Sequence, residues 1–249
     1  MDPLAEKAYS WTPYRYGFNN PILFFDPDGL YEIYNRRGRH IATVGTGEGR
    51  KIALSNRTAR AIRRSQTLEG HRDIISLPSG SVMTMTQRAI SETRASGNEH
   101  GFVVGVDGTT SDLLTNNLQG EVSLGPGYSQ LEELGVQTAF DVHTHPEGEI
   151  GEDYFVSTDI ISGTPGVFSM DNDFGVRLFR ENNNQVTEPS WVIGTRNNVS
   201  IMRTSTQIGG SGERRESSIT YVIFYDSQGE VSRMQWSQFV ELVNNINNQ

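Results

Sequence analysis

Hydrophobic positions along this chain come in short runs, separated by stretches rich in Gly, Asn and Ser. Tyr31–Asn35 and His40–Val44 alternate apolar and polar residues around an Arg-Arg-Gly-Arg turn, which predicts a hairpin within 31–55. Residues 56–66 predict a short basic helix whose arginines form a solvated face. From Val82 to Arg94 the spacing turns helical. Ser81 or Thr84 could cap a helix through Ala95, and Gly97 would end it. A strand over Glu99–Val106 follows, closed by an Asp107-Gly108 turn. A helix is expected from Tyr128 to Leu134, ended by Gly135, and a buried strand from Ala139 to Pro146. Ser169 is a good N-cap for a helix with acids in its first turn. Residues 190–203 predict a hairpin, 205–217 a mobile Gly/Ser/Glu/Arg-rich linker, and Ile219–Tyr225 and Trp236–Ile246 a last strand and helix. Strands and helices mix without an internal repeat, so the expected class is α+β.

Composition narrows the choices. The 249 residues suffice for one large or two modest domains. Cysteine is absent, which excludes disulfides, thiolate metal sites and a Cys nucleophile. No run has the length of a membrane span, and no basic segment leads into an apolar one at the N-terminus, so neither a membrane segment nor a signal peptide is expected. The net charge of −9 is uneven. Residues 31–100 hold twelve Lys/Arg against six Asp/Glu; residues 101–249 hold seven against twenty. The acidic second half argues against a nucleic-acid substrate. The basic segment suits pairing with the acidic half, or with an acidic partner, better than contact with nucleic acid.

The candidate chemistry lies in Ala-Phe-Asp-Val-His-Thr-His-Pro, residues 139–146. Side chains alternate across a strand, so His143 and His145 leave on one face. Two surface histidines at a strand end would read the same way. Two neutral imidazoles on a rigid edge also begin a zinc site, which needs a third protein ligand, often a carboxylate.

About forty residues earlier the chain reads Gly-Asn-Glu-His-Gly, residues 97–101. Glu99 followed by His143-Thr144-His145-Pro146 resembles the JAB/JAMM (MPN) metallopeptidases. The resemblance implies a cytidine-deaminase-like central mixed sheet flanked by helices. It implies Zn²⁺ held by His143, His145 and an Asp, with Glu99 as general base and a Ser beside the oxyanion. His100 would face away from Glu99 and be structural. In the family a Ser-x-x-Asp follows about ten residues after the second His. Here Val156 stands at that spacing. Asp159, with Ser157, needs a small insertion, but Ser-Gly-Thr-Pro-Gly follows at 162–166 and forbids a helix. Asp173 needs a larger insertion and is followed by a helix-compatible stretch, with Ser169 four residues before it; Asp171 is a rival on the same turn. Asp173 and Ser169 are favoured.

The first thirty residues are Pro- and Tyr-rich pieces ending in Asp26-Pro27-Asp28-Gly29-Leu30. They resemble the end of an Rhs (YD-repeat) core, just before its variable toxin region. The resemblance implies a cut between Leu30 and Tyr31 and a parent polypeptide that forms a cage. The implied organisation is an Rhs-core remnant at 1–30, a basic subdomain at 31–80, a JAB/JAMM-like toxin domain at 81–204 and an extension at 205–249. The implied function is a secreted interbacterial effector, delivered by a contact-dependent route such as type VI secretion. It would cleave a peptide or isopeptide bond and would be held by a cognate immunity protein. The alternatives are a metal-free binding module or decayed toxin, and a metal-dependent nuclease toxin.

Overall fold

The computed structural model describes residues 30–45, 47–117, 121–146, 161, 165–167, 173–202 and 213–249, the last two ranges without side chains at 196–202 and 213–217. Residues 1–29, Ser157, Asp159, Ser169, Asp171 and 203–212 lie outside the described residues, so the Rhs-like leader and the expected oxyanion serines do too. The described fold is α+β, with two mixed sheets, and it divides into two compact units. None of its helices is long and apolar enough to cross a membrane.

One unit holds residues up to Leu77 together with Asn245–Gln249. Strands β1 (Tyr31–Asn35) and β2 (His40–Val44) form the expected hairpin. The Asn35 side chain accepts from the Arg37 and Arg39 amides across the turn, and Gly38 takes φ 69°. Strand β3 (Arg50–Ala53) pairs parallel with β1, and β4 (Ile74–Ser76) antiparallel with β3. Helix α1 (Asn56–Ser65) starts at Ser55, whose hydroxyl accepts from Thr58 N–H. Ala59 and Ile62 pack on Ile33, Ala42, Val44 and Ala53, leaving Arg57, Arg60, Arg63 and Arg64 exposed.

The other unit, Pro78–Asn244, carries the second sheet in the order β5-β6-β7-β8-β9. These strands are Gly101–Gly105, Thr138–Thr144, Ser190–Met202, Glu213–Asp226 and Gly229–Gln235. Only β6 and β7 run parallel. Four helices accompany them: α2 (Gly80–Ser96), α3 (Gly125–Glu133), α4 (Asp173–Asn182) and α5 (Trp236–Asn247). The N-cap of α2 is Ser79, two residues before the earlier of the expected caps, and Gly97 ends it at φ 74° as expected.

Strand alternation divides this sheet into two faces. On one, Trp191 stacks on Phe140 at 4.8 Å and meets Phe224 and Phe239 edge-on; all four are buried. The other face carries Asp141 and His143 on β6, Ser190 and Val192 on β7, and Ile223 and Tyr225 on β8. Phe174 of α4 packs there against Val192, Ile223 and Tyr225. Tyr128 and Leu131 of α3 cover Val103.

Two expectations need correction. Residues 190–202 are one thirteen-residue strand rather than a hairpin, because the Thr-Arg-Asn-Asn segment pairs continuously with β8. Residues 213–217 belong to β8 rather than to a linker. Strand β9 was not expected; it is an edge strand with few buried side chains, and its alternation is faint.

Candidate metal centre

The centre forms at the C-terminal end of β6. His143 pairs with Gly101 of β5 and with Val192 of β7, so it stands mid-sheet with strands on both sides. A side chain at position 101 would not fit. Its Cβ would lie 2.7 Å from Leu124 Cδ2, 2.8 Å from the Val142 carbonyl oxygen and 3.1 Å from His143 Cβ. The glycine lets β5 run close beside the histidine and brings Glu99, two residues earlier, level with His145.

Thr144 faces the opposite way and holds this register. Its amide and hydroxyl both donate to the His100 carbonyl, and its hydroxyl accepts from His100 N–H at 3.1 Å. Thr144 Oγ1 also contacts Thr93 Oγ1 on α2. His100 Nδ1 lies 3.1 Å from Thr93 Oγ1 and 3.1 Å from the Asn98 carbonyl oxygen. That histidine is buried on the far side from Glu99 and belongs to the scaffold.

Helix α4 brings the third group. Asp173 is its first residue, where the helix dipole favours a negative charge. Asp173 Oδ1 lies 3.1 Å from His143 Nε2, and Oδ2 lies 3.7 Å from His145 Nε2. Glu99 Oε1 sits 3.8 Å from His145 Nε2. The side chains are only 5% (His143), 14% (His145), 16% (Asp173) and 9% (Glu99) exposed. Among the described residues, His143, His145 and Asp173 form the one trio of candidate ligands whose donor atoms all lie within 4.8 Å of one another. These three residues can together hold a metal ion.

Two details suit a cation at this point. His143 Nε2 is buried and has no hydrogen-bond partner among the described residues, with Asp173 Oδ1 3.1 Å away. The Asp173 carboxylate also reaches both imidazoles, His143 Nε2 with Oδ1 at 3.1 Å and His145 Nε2 with Oδ2 at 3.7 Å, which places it to share an ion with them.

The electrostatics agree. Burial presses His143 toward the neutral form, but the carboxylates of Asp173, Glu99 and Asp141 together outweigh it; the pKa is pushed up to about 9. Burial pushes Glu99 up to about 7, against His143 and with Asp173 and Glu121. The site therefore holds positive charge in place, as a proton on His143 when no cation is there. That proton stabilises the metal-free fold fully below the ordinary His pKa near 6.5, and the contribution is lost as pH rises through about 9. A metal ion must displace it. Metal uptake at pH 7 will therefore release protons, and affinity will climb between pH 6 and 9. Calorimetry in two buffers of different ionisation heat checks this; identical heats would mean that His143 is already neutral.

Asp141, Arg177 and Tyr225 were missed in the sequence. Asp141 is buried and accepts from Tyr128 O–H at 2.5 Å. Tyr225 stands edge-on to His143 at 6.3 Å, and burial next to Asp141 raises its pKa well above 10. Strand parity signals Asp141, two residues before His143 on the same face. Helical period signals Arg177, one turn after Asp173. Tyr225 had no local signal.

Compared with protein-family models, with curated proteins and with solved structures, the chain gives no match.

Proposed function

We propose that this chain is a zinc-dependent hydrolase of the JAB/JAMM kind that cuts a peptide or isopeptide bond. The observation that carries the reading is convergence: Glu99, His143, His145 and Asp173, far apart in sequence, meet around one space. The donor set of two imidazole nitrogens and a carboxylate is one that catalytic zinc uses, with a further position left for solvent. Zinc held there would act as a Lewis acid and lower the pKa of a bound water from about 15.7 toward about 7.

The remaining chemistry belongs to the chain. Glu99 Oε1 accepts a proton from the attacking water and passes it to the leaving amine. His143 and His145, fixed by the sheet, and Asp173, fixed by α4, set where the scissile carbonyl must lie. Ser169 is the proposed hydroxyl facing the oxyanion.

The wider proposal is an Rhs-type effector toxin. It rests on the leader motif Asp26-Pro27-Asp28-Gly29-Leu30. A secreted toxin of this kind would be delivered into a neighbouring cell and neutralised by an immunity protein. Its substrate would be a protein or peptide.

Metal analysis of the purified chain, paired with cleavage of a mixed peptide library and of an isopeptide-linked conjugate, tests the reading. One zinc per chain and cleavage that a chelator stops are expected. A folded sample that takes up no metal would leave a binding module. Metal-dependent cutting of DNA or RNA instead of peptides would make it a nuclease.

A further inference from the structure

Beyond the ligands themselves, we infer that Arg177 is a positioning residue that sets where the Asp173 carboxylate lies; the inference rests on the metal reading above. Arg177 is 4% exposed, an unusual place for a guanidinium. Its Nε donates to Glu181 Oε1 at 2.7 Å, and its Nη1 donates to Ser190 Oγ at 2.9 Å. Glu181 in turn accepts from the Ser227 amide at 3.1 Å and from the Ser227 hydroxyl. One chain of polar contacts thus fastens α4 to the first residue of β7 and to the turn between β8 and β9.

The dimensions show what this fastening does. Asp173 and Arg177 are four residues apart on one helix, a rise of about 6 Å. Ser190 lies two residues before Val192, the β7 partner of His143, a step of roughly 6.6 Å along the strand. The two spacings match. With Arg177 on Ser190, Asp173 falls level with the row of His143. A slip of one residue along the helix would carry the carboxylate about 1.5 Å away.

The apolar contacts cannot supply that register alone. Phe174 lies against Val192, Ile223 and Tyr225, but such contacts are non-directional and tolerate sliding. A guanidinium offers a rigid planar fork whose hydrogen bonds fix direction. Burying an ion pair contributes little net stability relative to an apolar pair of similar volume. Geometry is the better account of why Arg177 and Glu181 stand where they do.

The test is a double-mutant cycle read by metal binding. Zinc affinity is measured by chelator competition, and the cobalt(II)-substituted centre by its visible absorption, in wild type, Arg177→Met, Asp173→Ala and the double variant. Arg177→Met should weaken zinc about 10- to 100-fold, as losing an outer support does, and should shift the cobalt spectrum toward that of Asp173→Ala. In the double variant the Arg177 change should add nothing, because the ligand it positions is gone. Wild-type zinc affinity in Arg177→Met overturns the inference, and so does a full additional loss on the Asp173→Ala background. If circular dichroism shows Arg177→Met unfolded, Ser190→Ala carries the test: weaker zinc binding supports the inference, and unchanged binding overturns it. A wild-type chain that binds neither ion overturns the metal reading and this inference with it.

Discussion

On the proposed zinc-hydrolase reading, replacing Glu99 with Gln is expected to lower hydrolysis by about 10²- to 10⁴-fold and leave zinc bound. That loss corresponds to roughly 2.7–5.5 kcal/mol of transition-state stabilisation. The amide matches the carboxylate in shape but cannot take up a proton. Glu99 stands beside the ligand trio, with Oε1 3.8 Å from His145 Nε2. Its neutral replacement therefore removes proton transfer without removing a ligand. kcat/KM and zinc content, measured on the same preparation, separate the two effects. In a bacterial cytoplasm the wild-type chain should slow growth and the variant should not. Equal toxicity of the two would take Glu99 out of the mechanism.

His143→Ala has the other large expected effect. Losing a support around a metal costs about 10- to 100-fold in affinity, and losing a buried ligand will cost more than that. Alanine also leaves the Asp173 carboxylate facing a void where it had a cation or a protonated imidazole. At 100 times its dissociation constant, zinc bound at the proposed site would add about 2.7 kcal/mol to the stability of the wild type. For a unit of this size that is roughly 5–10 °C of thermal midpoint. The variant should show no such shift when zinc is added, and no metal after dialysis. A variant that keeps zinc with wild-type affinity would mean that other groups hold the ion.

Much of this arrangement is legible in the chain. Gly97 ends α2 because its left-handed φ of 74° suits glycine, and that signal needs no tertiary context. The β6 strand announces itself by its apolar run, and period two puts both histidines on one face. Glu99 is legible only through its spacing to them, and Asp173 only through the helix that follows it. What was hidden depended on partners distant in sequence. Gly194 followed by Thr-Arg-Asn-Asn spells a turn locally, yet β8 offers a full-length partner and the strand runs on to Met202. The Arg177–Ser190 bond joins a helix to a strand thirteen residues later, and nothing local marks it. Tyr225 reaches His143 only once β7 has been laid between β6 and β8.

The centre draws its groups from positions 99, 143, 145 and 173. In an extended thread only the two imidazoles are neighbours, and a lone pair of them grips a cation weakly. Cation capture therefore waits until both strands and the helix have closed around the spot, so any passage of the polypeptide as a loose filament would deliver it empty-handed. On the proposed reading, the ion would then be drawn from whatever compartment the chain refolds in, and the supply of free zinc there would decide how soon hydrolysis begins.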